Sequence, residues 1–313
     1  MPDFALELKR APIILTEGSV VERLRRHPGL QLNPDVAHAG FLYDPTASCE
    51  MAGIWREYLS IGRSAGLPML ILTPTWRANP ERLKRAGMGG RDVNGDAVRY
   101  LAGLRAEQGP YARRIYVGGL LGCRGDCYLP GEALAVDEAE AFHTTQIREL
   151  ARAGADFLFG STLPALSEAR GMAQAMADCG LPYILSFVVT RGGTLLDGTP
   201  LGIAIRRLDG EPAPAPLGYM ANCVHTSILA AALGRLDPAL RPRVLGLQAN
   251  TSTKTPTEFD GLSNLDTEPP GVFAEAMQRL QEGFGLKILG GCCGTNGGHI
   301  RALAERLTPR PAV

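Results

Sequence analysis

Short apolar runs rich in Ile, Leu, Val and aromatic residues recur along the chain, separated by longer segments of mixed character. Runs of this length, bounded by Gly, Pro or polar residues, are typical of buried β-strands. The runs predicted as strands are residues 13–16, 69–73, 115–118, 156–159, 183–187, 217–220, 244–247 and 287–289. The pattern therefore predicts eight strands.

The segments between these runs carry apolar residues three or four positions apart, which is the spacing of one helix face. Before the fourth strand, Ile147, Leu150 and Ala151 share such a face, and Gly154 is well placed to end the helix. After the eighth strand, a helical pattern that includes Ile300 closes the chain. Helices therefore alternate with strands along most of the sequence.

Strands that alternate with helices pair in parallel, so the pattern predicts a (β/α)8 TIM barrel or a doubly wound sheet. Eight strands favour the barrel, and we predict a single (β/α)8 domain over residues 1–313. The proline-rich residues 211–216 are interpreted as a surface loop of that domain. The long polar segment 250–271 is predicted to lie over the barrel mouth.

Composition and charge exclude several classes of function. Lys plus Arg and Asp plus Glu number 32 each, so the formal net charge is zero and nothing favours a nucleic-acid partner. No apolar run approaches the ~20 residues that cross a bilayer, and residues 1–10 lack the apolar core of a signal peptide. The seven cysteines do not suit a closed disulfide framework. We predict a cytoplasmic protein with reduced thiols and no membrane association.

Two adjacent cysteines lie at residues 290–295, in the order Gly-Gly-Cys-Cys-Gly-Thr, directly after the eighth predicted strand. Neighbouring side chains of a strand point to opposite faces, so Cys292 and Cys293 reach one point only where the backbone leaves strand geometry. The flanking glycines permit that departure. A thiol pair of this kind suits coordination of a soft or borderline metal, of which zinc is the leading candidate.

Cys223 offers a third ligand. It follows the sixth predicted strand, as Cys292 and Cys293 follow the eighth. The carboxyl ends of barrel strands meet at the face where barrels carry their active sites. Buried free thiols or a strained vicinal disulfide are the alternatives for the adjacent pair, and the residues alone leave them open.

The Gly-Gly-Cys-Cys-Gly-Thr motif, with Asn222-Cys223 earlier in the chain, resembles the homocysteine S-methyltransferase family. The Leu-Leu-Asp-Gly-Thr-Pro sequence at residues 195–200 supports the resemblance more weakly. The resemblance implies a zinc-dependent (β/α)8 barrel in which Cys223, Cys292 and Cys293 hold Zn²⁺. It also implies that the partners are a small-molecule thiol acceptor and a methyl donor.

The resemblance further implies a substrate shell. Backbone amides after the family's first strand receive the substrate carboxylate, and the matching residues are Glu17, Gly18 and Ser19. The family's fourth strand ends in a glutamate that holds the amino group of homocysteine, whereas Ser161 stands there in this chain. Asn222 completes the candidate shell. Because serine carries no negative charge, an acceptor thiol without an α-amino group, or with one held differently, stays open.

The expected chemistry is methyl transfer to a thiolate. A free thiol is mostly protonated at neutral pH, and zinc binding deprotonates it. We predict direct transfer to homocysteine from a small cationic donor, such as S-methylmethionine, S-adenosylmethionine or a betaine-like compound, with no separate protein base. The alternatives are a different acceptor thiol, a subunit that takes methyl groups from a separate corrinoid protein, and a non-catalytic zinc-binding barrel.

Two further cysteines, Cys123 and Cys127, follow the third predicted strand and therefore belong to the same rim. They are either two loop thiols, or a pair of which one occupies the fourth zinc position, or a redox-sensitive disulfide. His143 and His299 are interpreted as structural residues. His225, two residues after Cys223, is considered as a substrate contact.

Overall fold

A computed structural model of the protein describes residues 3–211, 213–253 and 267–308. Its strands are β1 (Ile14–Thr16), β2 (Met69–Leu72), β3 (Ile115–Leu121), β4 (Phe157–Leu163), β5 (Tyr183–Phe187), β6 (Gly218–His225), β7 (Val244–Asn250) and β8 (Ile288–Gly291). They form a closed parallel barrel in chain order, and β1 pairs with β8. The predicted (β/α)8 TIM barrel is confirmed.

Helices surround the barrel and connect its strands. The α-helices among the described residues are α1 (Phe4–Arg10), α2 (Val21–Arg25), α3 (Pro45–Ala65), α4 (Pro80–Arg85), α5 (Val93–Ala106), α6 (Val136–Arg152), α7 (Leu166–Asp178), α8 (Leu201–Gly210), α9 (Thr226–Arg235), α10 (Pro270–Phe284) and α11 (Gly297–Leu307). Short 3₁₀ helices lie at His38–Tyr43, Gly109–Arg114, Pro130–Glu132 and Arg241–Arg243. Over the described part of the chain, no helix has the length and apolar character needed to cross a membrane.

Several strands continue past the apolar runs that predicted them. The fourth run ends at Phe159, but β4 continues to Leu163, and the sixth ends at Met220, but β6 continues to His225. Backbone hydrogen bonds hold a strand in the sheet whatever its side chains are, so small and polar residues extend the ladder. These extensions carry Ser161 and Asn222 to the carboxyl ends of the strands.

Alternate side chains of each strand point into the barrel or towards the helices. The inward apolar side chains form one cluster, to which Ile14, Leu70, Leu72, Tyr116, Phe157, Phe159, Ile184, Met220, Leu245 and Ile288 belong. Helix α1 adds Phe4 and Leu8 to this cluster, and the Phe4 ring stacks on Phe157 with centroids 4.3 Å apart. Apolar side chains therefore fill the interior below the mouth.

The inward positions become polar towards the carboxyl ends of the strands. Thr16 follows Ile14 on the same face of β1, and Ser186 follows Ile184 in the same way on β5. Gln248 on β7 donates from Nε2 to Thr16 Oγ1 at 2.8 Å, which joins β7 to β1 across β8. The buried floor of the mouth is therefore a hydrogen-bonded polar layer.

The two loop predictions have different outcomes in the structure. Of the predicted loop 211–216, Glu211 and residues 213–215 are exposed, as expected of a surface segment, whereas Pro216 is buried next to β6. The predicted mouth loop, 250–271, begins in β7 and ends in α10, and its central residues 254–266 lie outside the described part of the chain. The prediction that this segment covers the mouth stays a prediction.

Gly246→Ala is expected to lower the free energy of unfolding by about 1–3 kcal/mol, because an added Cβ would overlap the backbone carbonyl oxygen of Ile288 on β8. Urea unfolding followed by circular dichroism measures the change. The control is Gly283→Ala in α10, where a Cβ meets nothing within 4 Å. There we expect no loss, or a gain of up to about 1 kcal/mol. Equal stability of the two variants would contradict the close approach of β7 and β8.

Candidate metal and substrate site

Three cysteine sulfurs lie together at the carboxyl ends of β6 and β8. The Sγ atoms of Cys223, Cys292 and Cys293 are all within 4.8 Å of one another, and those of Cys292 and Cys293 are 3.9 Å apart. The sulfurs of Cys223 and Cys292 are in direct contact, with Cα atoms 5.6 Å apart. The structure thus brings together the three residues that the sequence predicts as metal ligands.

The backbone leaves strand geometry where the adjacent cysteines need it to. Strand β8 ends at Gly291, and the next amide, that of Cys292, still donates to Ala249 O of β7 at 2.8 Å. The chain then turns, with Thr295 N donating to Cys292 O at 3.2 Å and Gly294 at a φ of 84°. This turn lets both thiols face Cys223.

Thr295 connects this turn to the loop after β1. Its Oγ1 donates to Cys292 O at 2.7 Å and accepts from Ser19 N at 3.0 Å. Gly291 leaves room for it, because an added Cβ there would overlap the Thr295 side chain. The final threonine of the motif therefore fixes the cysteine turn against the predicted substrate loop.

Cys223 occupies a bulge in β6. Its φ is 54°, in the left-handed region, and the register with β7 shifts between Asn222 and Val224. A non-glycine residue in this region costs of order 1–3 kcal/mol and persists only where its surroundings enforce it. Asn222 Nδ2 donates to Cys223 Sγ at 3.5 Å, which helps to fix the sulfur.

The donor set fits a zinc ion. Zinc–sulfur bonds of about 2.3 Å in a tetrahedron separate the sulfurs by about 3.8 Å. The Cys292–Cys293 separation of 3.9 Å matches this edge. Thiolates suit soft or borderline metals, and a set of three leaves one position for substrate, as in catalytic zinc sites. Metal binding requires the Cys223–Cys292 pair in its reduced form.

Glu17, the first residue of the predicted substrate loop, turns its side chain away from the mouth. Its Oε2 accepts from Trp55 Nε1 at 2.7 Å and from Leu72 N at 3.1 Å, inside the barrel wall. Burial raises the pKa of this carboxyl to about 8, although both hydrogen bonds act to lower it. A substrate contact by Glu17 would therefore come from its backbone.

Gly18 and Ser19 are held by close packing. A Cβ at Gly18 would come within 2.8 Å of the Tyr58 hydroxyl oxygen, and that hydroxyl donates to Ser19 O at 2.9 Å. Ser19 Oγ accepts from Glu22 N at 3.3 Å near the start of α2. The loop is rigidly placed beside the cysteine turn, and its role in carboxylate binding stays a prediction.

Ser161 and Asn222 lie on the inward faces of β4 and β6, and both are buried. Ser161 Oγ is 3.0 Å from Thr162 Oγ1. Asn222 bonds to Thr162, and it accepts from Ser186 Oγ at 2.7 Å. The φ of Thr162 is 58°, which marks a second bulge. The sequence did not single out this residue, because the spacing of apolar residues gives no sign of a bulge.

Cys123 and Cys127 are buried thiols on the loop after β3. Burial raises the pKa of both, that of Cys127 to about 12. Neither belongs to the group of sulfurs within 4.8 Å of one another, and no disulfide joins them. Their proposed roles as a fourth ligand or a redox pair stay predictions.

His143 and His225 each face a glutamate side chain of the protein. His143 Nε2 is 3.0 Å from Glu168 Oε1, and both side chains are fully buried. His225 Nδ1 accepts from Ser227 N at 3.2 Å at the start of α9, so its Nε2–H faces Glu268. Glu168 was not predicted as a functional residue, yet it also accepts from Arg124 N at 2.7 Å and fixes the loop that carries Cys123.

Together, a parallel eight-stranded barrel with three cysteine sulfurs at its carboxyl-end mouth defines a candidate thiolate metal centre. The homocysteine S-methyltransferase family model matches residues 14–307. The chain therefore belongs to the homocysteine S-methyltransferase family.

The sequence identity to individual relatives is low. A homocysteine S-methyltransferase of Escherichia coli (strain K12) is 27% identical over 256 residues, which is 75% of this chain and 78% of that protein. Homocysteine S-methyltransferase YbgG of Bacillus subtilis (strain 168) is 27% identical over 64% of this chain and 60% of its own length. A selenocysteine Se-methyltransferase of Brassica oleracea var. italica is 25% identical over 58% of this chain and 52% of its own length.

Solved structures of the homocysteine methyltransferase MmuM from Escherichia coli share the fold. The metallated form has a TM-score of 0.75 at 23% identity and covers 98% of this chain and 100% of its own. The oxidized form has a TM-score of 0.76 at 24% identity over 98% and 99% of the two chains. The similarity supports the barrel over almost its whole length.

Glu17→Gln is expected to flatten the pH dependence of stability. The stabilisation from the protonated carboxyl is complete below its unfolded pKa of 4.5 and is lost as the pH rises through about 8. The urea midpoint of the wild type should therefore fall as the pH is raised across this window, and that of the variant should fall less. Glu305→Gln, at an exposed position of α11, is the control and should follow the wild type. Parallel curves for all three proteins would refute the buried, protonated carboxyl.

Proposed function

We propose that the protein is a zinc-dependent S-methyltransferase that moves a methyl group from a small sulfonium or ammonium donor to a thiol, with homocysteine as the leading acceptor. The observation that carries the proposal is the group of three Sγ atoms within 4.8 Å at the barrel mouth. Family membership supports it, as do relatives named for homocysteine methylation.

Bound zinc would supply the positive charge that keeps an acceptor thiol deprotonated near neutral pH. The chain's own residues hold the sulfurs in place. Asn222 donates to Cys223 Sγ, and Thr295 donates to Cys292 O and fixes the turn that carries Cys292 and Cys293. A cationic methyl donor leaves as a neutral molecule, so we assign no protein base or acid to the transfer.

The proposal includes one barrel domain over residues 1–313 and Cys223, Cys292 and Cys293 as the zinc ligands. It also places the protein in the cytoplasm, because free thiolates persist in a reducing compartment. The substrate shell consists of Glu17, Gly18, Ser19, Ser161 and Asn222. Of these, Asn222 acts through Cys223 and Thr162, and Glu17 through its backbone.

A second candidate is methyl transfer to a thiol that lacks the amino-acid head group. Ser161 favours it, because the family's ammonium-binding glutamate is replaced by a neutral side chain in a buried position. A buried ammonium group needs a paired charge to offset the loss of its hydration. The acceptor therefore has to be determined by experiment with matched thiols.

We expect a serine at any one of the three positions (Cys223→Ser, Cys292→Ser or Cys293→Ser) to lower zinc affinity by more than about 100-fold. Loss of a group that only hydrogen-bonds to a metal ligand already lowers metal affinity about 10–100-fold. Competition with a chromophoric chelator on reduced protein measures the affinity. Cys49→Ser, at an exposed position of α3, is the control and should bind zinc like the wild type. Unchanged affinity in any of the three variants would remove that cysteine from the ligand set. The double variant Cys123→Ser/Cys127→Ser tests the fourth ligand in the same assay.

Reduced, zinc-loaded protein is expected to form methionine from homocysteine and S-methylmethionine, to lose this activity on zinc chelation and to regain it when zinc is restored. Mass spectrometry of the products measures the reaction, and S-adenosylmethionine and betaine are compared as donors. Methylation only in the presence of an added corrinoid protein would favour the corrinoid alternative. Zinc binding without methylation of any thiol would favour a non-catalytic barrel.

A further inference from the structure

Trp76 and Arg77 follow β2 and lie beside the end of β3. Tyr116 and Leu120 of β3 belong to the inward cluster, and Gly122 comes two residues later, directly past the end of the strand. An added Cβ at Gly122 would overlap the indole nitrogen of Trp76. The guanidinium carbon of Arg77 lies 4.6 Å from the centre of the Trp76 ring. The two side chains therefore form a stacked pair at the rim of the mouth.

The charge of Arg77 has no acidic partner. Its side chain is half-buried, and among the residues that the structure describes it makes no hydrogen bond and no ion pair. The acidic side chains of this part of the rim are paired elsewhere, since Asp35 binds Arg85 at 2.7 Å. Glu81 binds Arg124 at 3.2 Å. A guanidinium stacked on a ring keeps its N–H groups available for an acceptor in the ring plane.

Other hydrogen-bond donors beside Arg77 also lack acceptors. Arg82 on α4 donates only to backbone carbonyl groups, those of Asp35 at 3.4 Å and Arg124 at 3.2 Å. Burial and the nearby charge of Arg77 lower the pKa of Arg82. In the described part of the chain, Arg82 Nε and Trp76 Nε1 are both buried without a partner. Because buried donors are normally satisfied, this part of the rim suits a ligand that supplies anionic oxygens.

This donor-rich part of the rim lies across the mouth from the cysteine group. In the closed ring of eight strands, β2 is four strands from β6 in either direction, and β6 carries Cys223. The loop after β3 lies between the two groups. Burial is the main cause of the raised pKa of Cys127 on this loop, and Arg77 and Cys293 are both near enough to affect it. Arg77 therefore faces the same mouth as the cysteine sulfurs.

The geometry of methyl transfer assigns the two sides of the mouth to different substrates. The acceptor's thiolate sulfur forms a bond to the methyl carbon while the bond from that carbon to the donor atom breaks. The electron pair of the broken bond stays on the donor atom, which loses its positive charge. The sulfur, the methyl carbon and the donor atom lie in line. A donor in line with a thiol held at the cysteine group therefore extends towards β2.

We propose that Arg77 is a specificity-determining residue that binds a carboxylate of the methyl donor, and that Trp76 holds its guanidinium in place. The donor is then a sulfonium or ammonium compound that bears a carboxylate, with its cationic centre towards the cysteine group. Arginine binds a carboxylate through two parallel N–H groups, which fixes the direction of the ligand as well as its position. The inference rests on the proposed function and adds a donor contact outside the predicted substrate shell.

Two matched pairs of donors test the inference. S-methylmethionine is compared with its carboxamide, and betaine is compared with choline, which has a hydroxyl group in place of the carboxylate. Calorimetry on zinc-loaded protein without acceptor measures binding, and mass spectrometry of methylated homocysteine gives kcat and KM. We expect the carboxylate member of at least one pair to bind at least about 10-fold more tightly than its counterpart. Failure of both carboxylate donors to bind, or equal affinities within both pairs, would overturn the inference.

Variants of Arg77 test its role directly. Arg77→Met removes the charge and keeps a long side chain, so it should reduce the preference to near equality and raise KM for the carboxylate donor, with kcat and zinc content little changed. Arg77→Lys retains the charge without the paired N–H groups and should give an intermediate preference. The control is Arg113→Met, at an exposed position before β3 on the opposite end of the barrel, which should retain the wild-type preference.

The outcomes for the two proposals are distinct. An unchanged preference in Arg77→Met, or an equal loss in Arg113→Met, would overturn the inference and leave the methyltransferase proposal intact. A raised KM for homocysteine instead of the donor would assign Arg77 to the acceptor and would likewise overturn it. Absence of methylation with every donor would overturn the proposed function, whereas the calorimetric affinities of the matched pairs would still decide the inference.

Discussion

Closure of the parallel barrel is the constraint on which the candidate site depends. Cys223 and Cys292 are 69 residues apart in the sequence, and β7 lies between their strands. The register aligns Asn222 with Gln248 and Gln248 with Gly290, so both cysteines follow the same row of the sheet. A slip of one residue would turn side chains to the other face and separate the sulfurs. The sheet register thus determines whether the cysteine sulfurs meet at the mouth.

Backbone strain is concentrated at the same place. Thr162 and Cys223 both occupy the left-handed region, where a side chain with a Cβ costs of order 1–3 kcal/mol. The amide of Asn222 contacts both residues, and its hydrogen bonds offset part of that cost. The bulges aim a sulfur and a hydroxyl that a regular strand would direct elsewhere. The two bulges thus lower the local stability and place these groups at the mouth.

Buried carboxyl groups fix the loops around this strained centre. Glu17 binds Trp55 and the backbone of β2, and Glu168 binds His143 and the amide of Arg124. A buried carboxyl is costly unless hydrogen bonds satisfy it, so each determines the position of the groups that it contacts. One lies beneath the loop after β1 and the other beneath the loop after β3. Both loops border the mouth, and the Glu17 carboxyl itself points away from it.

The sequence by itself determined the barrel, because each buried strand needs an apolar run and each surrounding helix needs an apolar face. It also indicated the candidate metal ligands, because adjacent cysteines between glycines suit thiolate coordination of a metal. It did not determine the outward turn of the Glu17 side chain or the part of Asn222 in holding Thr162. These depend on hydrogen bonds between residues 38 and 60 positions apart, as for Glu17 with Trp55 and Asn222 with Thr162. Only the tertiary structure brings such partners within 3 Å, so only it decides which groups the mouth offers to a substrate.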